Sequence, residues 1–242
     1  QGKAMSQGLR EIFETHRGRD IFKWEHFFAI YERHCSDFVS NGPSVLEFGV
    51  MRGGSLQLWL RYFGEGASIH GVDINPRCKE YEEPGISVHI GDQSDEVFLQ
   101  EICERHGPFD LVIDDGSHQV EHQKQTLEAI WPFINEGGVY VCEDTHTSYF
   151  TRFGGGYRRN GTFIERAKDL VDSLHMWWSG RMSREQTAAW TPYLAAVHFY
   201  PACLVLEKTK MEQPNAIWNE GGALKREPAK SLQYSREQDP GG

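Results

Sequence analysis

The five cysteines, Cys35, Cys78, Cys103, Cys142 and Cys203, are scattered, and no CxxC pair occurs among them. An odd, unclustered set fits reduced thiols of a cytosolic protein better than a disulfide frame or a zinc site. Basic residues are in deficit: 25 Lys and Arg against 35 Asp and Glu give a formal net charge of -10. That balance argues against a nucleic-acid backbone or an anionic membrane as the main partner. No apolar run approaches the roughly 20 residues of a membrane span, and no signal-peptide stretch opens the chain. Gln1 to Met5 reads as partly a cloning remnant, the first methionine being Met5. GxGxxG is absent, which makes a dinucleotide pyrophosphate an unnatural guest. HxD and HxE are absent too, which counts against a non-haem iron site of two histidines and a carboxylate. No internal repeat occurs. What remains is a chain of 242 residues, enough for one α/β domain with a substantial core. The expectation is a soluble, cytoplasmic, enzyme-sized domain.

What is present is an alternation of apolar runs and amphipathic stretches. Residues 44–49 read as a first strand, and 68–73, 86–90, 110–114 and 138–142 as further ones, with helical stretches around 55–62, 95–106 and 120–134. Strands alternating with helices imply right-handed βαβ units and a mainly parallel sheet. Ahead of them, residues 21–39 carry Ile21, Phe22, Phe27, Phe28, Ile30, Tyr31 and Phe38 at the spacing of an amphipathic helix. At the other end, 195–200 and 203–208, parted by Pro201 and Ala202, predict a closing antiparallel hairpin. Between them, 145–162 is aromatic, glycine-rich and basic, the composition of a mobile loop over a site. From Met211 onward the chain is polar and is expected to be partly disordered.

Two acidic clusters carry the chemistry. Phe109-Asp-Leu-Val-Ile-Asp-Asp-Gly-Ser-His118 and Val141-Cys-Glu-Asp144 each close a β-branched, apolar run. If the two strands are neighbours in a parallel sheet, their ends lie about 5 Å apart. Three carboxylates and an imidazole then converge, and carboxylates so close repel unless a cation or a shared proton holds them. The pattern points to a hard metal beside a base. Each cluster alone has a plainer reading: Asp115-Gly116 as a turn pair, Ser117 as a helix cap, Asp144 as a turn residue.

The first three strand ends describe a second ligand. Glu47-Phe-Gly49 leads through Gly53-Gly54-Ser55, where glycines let the backbone approach a ligand closely. Asp73 ends the second strand as an acid suited to ribose hydroxyls. Asp92 and Gln93 follow the third strand and suit an adenine edge. Taken singly, these are a strand-to-helix turn, a turn acid and a helix cap. In this order they describe an adenosine with a small zwitterionic tail.

Together, Glu47 to Ser55, Gly71-Val-Asp73, Gly91-Asp-Gln93, Ile113 to His118 and Glu143-Asp144 resemble class I S-adenosylmethionine-dependent methyltransferases. More narrowly they resemble the metal-dependent macrolide-sugar O-methyltransferases of the mycinamicin and tylosin type, over roughly residues 20–208. The resemblance implies a Rossmann-like fold with seven strands, the last antiparallel, and helices on both faces. It implies an N-terminal helical segment over 1–42, the methyltransferase domain over 43–208 with an acceptor lid over 145–190, and a polar tail over 209–242. It implies S-adenosyl-L-methionine held by Glu47, Gly49, Gly53, Ser55, Asp73, Asp92, Gln93 and Asp114. It implies Mg2+ held by Asp115, Glu143 and Asp144, with His118 as general base and Asp115 as the alternative base. An imidazole, with an ordinary pKa of about 6.5, suits that task near neutrality.

The acceptor expected is a hydroxyl of a small-molecule glycoside or saccharide. A catechol-type acceptor is the alternative enzyme reading, and a non-catalytic S-adenosylmethionine-binding subunit the non-enzymatic one. Trp177, Trp178 and Trp190 suit either stacking on a sugar or core packing. Tyr149, Arg152, Tyr157, Arg158 and Arg159 suit either acceptor contact or a solvated loop. Lys23 and His26 are weaker candidates to reach the pocket, and His122 and His146 read as ordinary surface histidines. The N-terminal aromatics suggest subunit contact and hence a homo-oligomer.

Overall fold

The structure, a computed structural model, describes residues 7–178 and 190–228. Its strands in chain order are β1 (Ser44–Phe48), β2 (Ser68–Asp73), β3 (Ile86–Ile90), β4 (Phe109–Asp114), β5 (Ile134–Glu143), β6 (Leu194–Tyr200), β7 (Cys203–Lys208), β8 (Asn215–Glu220) and β9 (Ala223–Pro228). Its helices are α1 (Leu9–Glu14), α2 (Phe27–Cys35), α3 (Gly54–Phe63), α4 (Glu96–His106), α5 (Val120–Ile130) and α6 (Phe163–Leu174). Seven strands form one sheet in the order β3-β2-β1-β4-β5-β7-β6. β1 to β5 pair in parallel, whereas β7 runs antiparallel to both β5 and β6. This is the class I methyltransferase fold that the sequence implied.

The period of two along the strands sorts side chains into two apolar layers. Val45, Ile69, Leu111, Ile113, Val139, Val141 and Val205 face one way, together with α3. Leu46, Phe48, Val72, Val112, Tyr140, Cys142, Leu204 and Leu206 face the other, toward α4, α5 and α6. Because both faces are covered, the parallel strands can be apolar on both sides.

Four expectations need correction. The helix expected over 21–39 exists only as α2, followed by a 3-10 turn over Ser36–Phe38, while residues 21–24 have no regular structure. Nor does the N-terminal segment stand apart, because Leu9, Ile12, Phe27, Phe28, Ile30, Tyr31 and Cys35 lie in the same buried cluster as Val45, Leu56 and Trp59. Of the N-terminal aromatics, Phe27, Phe28 and Tyr31 are spent inside the protomer, whereas Phe22 stays exposed. The loop expected over 145–162 begins as two 3-10 turns, Thr145–Tyr149 and Thr151–Phe153, with Thr145, Thr147 and Ser148 buried. Glycine supplies that compactness: a Cβ on Gly155 would meet the Ser148 carbonyl oxygen at 2.3 Å.

The polar tail is also folded in part, since β8 and β9 pair as a hairpin whose turn glycines, Gly221 and Gly222, have φ of 62° and 95°. The expectations for residues 1–6, for residues 229–242 and for the lid between 179 and 189 lie outside the described residues, as does the Trp178 side chain. Trp190 is a core residue, buried and stacked on Trp131 at 4.7 Å between ring centroids. No helix of the described residues is long and apolar enough to cross a membrane.

At the β3 edge, on the α4 face, three imidazoles meet. His70 Nδ1 lies 3.1 Å from His89 Nε2, and the His106 ring centroid is 4.9 and 4.5 Å from theirs. Burial, with His106 adding its repulsion, pushes both His70 and His89 down from 6.5 to about 4. Lys79 and Arg105 add positive charge to this corner, and Glu82 opposes it. In the unfolded chain these histidines take up protons near their ordinary pKa, so protonation favours unfolding. Their contribution to stability is complete above about pH 6.5 and declines as pH falls through about 4. Accordingly, urea midpoints measured in EDTA should fall between pH 7 and 4.5, and His89→Gln should fall less over that interval. An equal fall in the variant would remove these imidazoles as a source of acid sensitivity.

Candidate active site

Parallel strands deliver their carboxyl ends to one edge, and the loops there hold the acids. Phe48 pairs with Asp114 and Asp114 with Cys142, so the residues that follow, Gly49, Asp115 and Glu143, stand side by side. The approach is close: Gly49 has φ of 92°, and a Cβ there would lie 2.0 Å from the Asp115 carbonyl oxygen. Only glycine lets the β1 loop pass the end of β4 so closely.

The acids are held from the irregular N-terminal segment. Lys23 Nζ donates to Asp115 Oδ2 and to Glu143 Oε1, both at 2.7 Å, and stands 3.7 Å from Glu47 Oε1. Its side chain is only 3% exposed. Burial alone would push this ammonium down; the three carboxylates outweigh it and keep Lys23 charged, well above the usual lysine range. Tyr31 donates its hydroxyl to Glu143 Oε1 at 2.5 Å. Burial, then repulsion by Asp115, pushes the Glu143 carboxyl up to about 8.

Above this buried layer, Asp115, His118 and Asp144 face the open cleft, with one ligand atom from each lying within 4.8 Å of the others. His118 Nε2 is 3.5 Å from Asp144 Oδ2, and the Asp144 Oδ1 atom accepts from Trp24 Nε1 at 3.1 Å. His118 and Asp144 both take left-handed backbone, φ 58° and 53°, a costly conformation for residues other than glycine. Thr147 fastens the two loops by donating to the His118 carbonyl at 3.0 Å. His118 Nδ1 is buried and has no hydrogen-bond partner.

Two clefts meet along this edge. One, of about 350 Å3, is lined by Phe22, Arg52, Ser55, Asp115, His118 and Asp144, among others, and the Arg52–Asp20 ion pair lies on its wall. The other, of about 210 Å3, is lined by Ile74, Asp92, Gln93, Ser117 and His122, among others. Gly49, Asp73 and Gly116 line both.

Most sequence-predicted residues gather here, though not all face a cleft. Asp73 lies between the clefts, and its Oδ2 also accepts from the backbone N–H groups of Val50 and Met51 at 2.9 and 3.1 Å. Asp92 accepts from the Ser94 N–H and hydroxyl, which hold its carboxyl below the usual range. Gln93 is committed to Asp114, Thr126 and the Ser117 N–H, leaving its amide as a brace for the cleft wall. Glu47 and Asp114 are buried beneath the clefts. Glu47 accepts from Ser55 and Trp59, and Asp114 from Gln93 and Tyr140. Gly53, φ 74°, caps α3 against the Tyr81 ring and lines neither cleft.

The sequence reading gave Lys23 little weight and passed over Tyr31 and Trp24. Tyr31 carries only the periodicity of an amphipathic helix and Lys23 and Trp24 carry none, and they lie 92 to 120 residues away from the acids they bond. His26 bonds the Pro201 carbonyl instead of entering the site.

Removing the ammonium while keeping the length of the side chain tests this arrangement. Lys23→Met leaves buried Glu143 and Glu47 without their cation, and the loss of one partner of a buried pair costs about 3–5 kcal/mol. Urea unfolding in EDTA should show a loss of that order. A loss under about 1 kcal/mol would mean the acids are held by something other than Lys23.

A methyltransferase domain model matches residues 46–145. The chain is 39% identical over 197 residues to 8-demethyl-8-(2-methoxy-alpha-L-rhamnosyl)-tetracenomycin-C 3'-O-methyltransferase of Streptomyces olivaceus, covering 76% of this chain and 50% of that protein. It is 38% identical over 164 residues to mycinamicin VI 2''-O-methyltransferase of Micromonospora griseorubida, covering 63% of this chain and 41% of that protein. A solved structure of the MycE methyltransferase from the mycinamycin biosynthetic pathway, in complex with Mg, SAH and mycinamycin VI, superposes with a TM-score of 0.77 at 30% identity. That match covers 85% of this chain and 54% of the other. The chain thus spans about half the length of the curated relatives it matches.

Proposed function

For a chain that carries a methyltransferase domain of the class I fold, we propose a Mg2+-dependent O-methyltransferase that moves the methyl group of S-adenosyl-L-methionine to a sugar hydroxyl. The acceptor is a small glycosylated natural product or saccharide, not a nucleic acid or a membrane. The observation that carries this reading is the convergence of Asp115, His118 and Asp144 in a cleft that runs on, past Gly49, Asp73 and Gly116, into a second one. One cleft suits the adenosine and the other the acceptor. The relatives named above, a 3'-O-methyltransferase of a rhamnosyl-tetracenomycin C and a 2''-O-methyltransferase of mycinamicin VI, support the same acceptor class.

The donor set fits a divalent ion: two carboxylates and an imidazole face one point, beside a buried His118 Nδ1 that has no partner. Asp115 and Asp144 would hold the ion, with Glu143 joining them only if Lys23 and Tyr31 yield its oxygen. When bound, the ion supplies Lewis-acid polarisation that lowers the pKa of the acceptor hydroxyl.

The remaining steps belong to this chain. His118 accepts the hydroxyl proton at Nε2, and the imidazolium so formed faces Asp144. The acceptor oxygen forms a bond to the methyl carbon as the carbon–sulfur bond breaks in line, leaving S-adenosylhomocysteine. Trp24 holds Asp144 through its indole N–H, and Thr147 fixes the His118 backbone. Phe22, which lines this cleft, and Trp24, bonded to Asp144 beside it, are large side chains left exposed. An apolar aglycone would cover such a rim.

Calorimetry with S-adenosylhomocysteine, in Mg2+ and then in EDTA, is the first test. Binding of similar strength in both is expected, since the ion belongs to the acceptor side; absence of binding in both would sink the methyltransferase reading. With an active glycoside acceptor in hand, His118→Ala should lower turnover by about 10²–10⁴ with the binding of S-adenosylhomocysteine unchanged. Asp144→Asn should shift the Mg2+ titration to higher concentration. Wild-type turnover in the first variant removes His118 as base, and an unmoved titration in the second removes Asp144 as a ligand.

A further inference from the structure

Away from both clefts, β2, β3 and α4 bring together a donor set without oxygen ligands. His70 and His89 project from neighbouring strands onto the same face, and His106 reaches them from the last turn of α4. One ligand nitrogen from each lies within 4.8 Å of the others. The corner opens onto a separate hollow of about 270 Å3, lined by Lys79, Phe98, Glu101 and Arg105 beside His89 and His106. Its lining shares no residue with the site described above.

We propose that His70, His89 and His106 form a second metal site, for a borderline transition ion of the Zn2+ class. Three neutral imidazoles suit such an ion and offer little to Mg2+, which prefers oxygen. Tetrahedral ligands at about 2.0–2.1 Å from zinc stand about 3.4 Å apart. The His70 to His89 distance of 3.1 Å is already near that spacing, and His106, part-exposed on the terminal turn of α4, has the freedom to close the third side. Beyond the ligand atoms, His70 Nε2 contacts Ser68 Oγ at 3.0 Å. This is the kind of outer hydrogen bond that fixes the tautomer and ring of a metal-bound histidine.

Lys79 is turned to Glu82 and the Val88 carbonyl, which takes its charge up locally. An N–H···N bond between His70 and His89 satisfies two of the rings without an ion, yet it leaves the convergence of the third unexplained. A bound ion would use all three and tie α4 to the open edge of the sheet. With three protein ligands, a coordination position stays open toward the hollow.

A second mixed cluster, His34, His198 and Glu207, argues less strongly for a metal. Both of its imidazoles lie at hydrogen-bond distance from the same Glu207 oxygen, 3.0 and 2.9 Å, which satisfies them without an ion.

The test is a Co2+ titration of the whole chain, stripped with chelator and then saturated with Mg2+ to fill any oxygen-rich site. Visible d–d absorption reports an imidazole-ligated ion of low coordination number. One equivalent should bind with this absorption in the wild type, in Asp115→Asn and in His34→Ala, and the absorption should be lost in His106→Ala. Zn2+ should raise the melting temperature of the first three and leave His106→Ala unmoved. His106→Gln provides a second variant, and the melting temperature in EDTA shows that either variant is folded. Absorption that persists in both His106 variants, or no Co2+ binding at all, overturns the site. Loss of absorption in Asp115→Asn or His34→Ala assigns the ion to another donor set and overturns it equally.

Discussion

One ammonium group, Lys23 Nζ, ties together acids from three adjacent strands. Parallel pairing forces Glu47, Asp115 and Glu143 to one edge at about the 5 Å spacing of the strands, and charges so close cannot remain unpaired out of water. Lys23 answers that repulsion from an irregular segment and stays charged because three carboxylates surround it. The same contact fixes the segment itself, since residues 21–24 have no ladder or helix to hold them. Once fixed, they supply the Trp24 bond to Asp144 and place Ile21 and Phe22 along the cleft. Electrostatic compensation below the site thereby builds its wall.

The arrangement also divides the acids by depth. Glu143 and Glu47 lie beneath, committed to Lys23, Tyr31, Ser55 and Trp59. Asp115 and Asp144 remain in reach of a ligand in the cleft, and His118 stands between them. A sequence pattern that treats Glu143 and Asp144 as an equivalent pair conceals this difference. Neighbouring strand residues point to opposite faces, and at the end of β5 the left-handed turn at Asp144 swings only the second acid outward.

The fold was legible because period-two apolar runs and the helices between them leave few other topologies for a chain of this length. The carboxyl-edge motifs were legible for the same reason, since each stands at the end of a strand whose place in the sheet follows from alternation. Lys23, Tyr31 and Trp24 were not, because their roles depend on contacts across 92 to 120 residues and no local pattern encodes such distances. The 3-10 turns after β5 were misread for a related reason. Glycine and aromatic content suggests a loose loop, whereas Gly155 instead allows the backbone to pack on Ser148. The imidazole corner escaped notice because His70, His89 and His106 share no spacing, and only the pairing of β2 with β3 and the end of α4 above it unite them.

Donor chemistry now separates two ions on the proposed readings. A hard ion at Asp115 and Asp144 would take oxygen and leave the His118 imidazole available to a proton, as base catalysis requires. A zinc-like ion in that place would compete for the imidazole and remove the base. On the proposed reading, selectivity at this edge would be part of the mechanism, and it would come from pairing two carboxylates with a single histidine. The three-histidine corner inverts the ratio, with imidazoles alone and positive side chains nearby. A Mg2+-like ion would find no oxygen ligand among the three imidazoles, so on these readings the histidine corner discriminates by its donors alone.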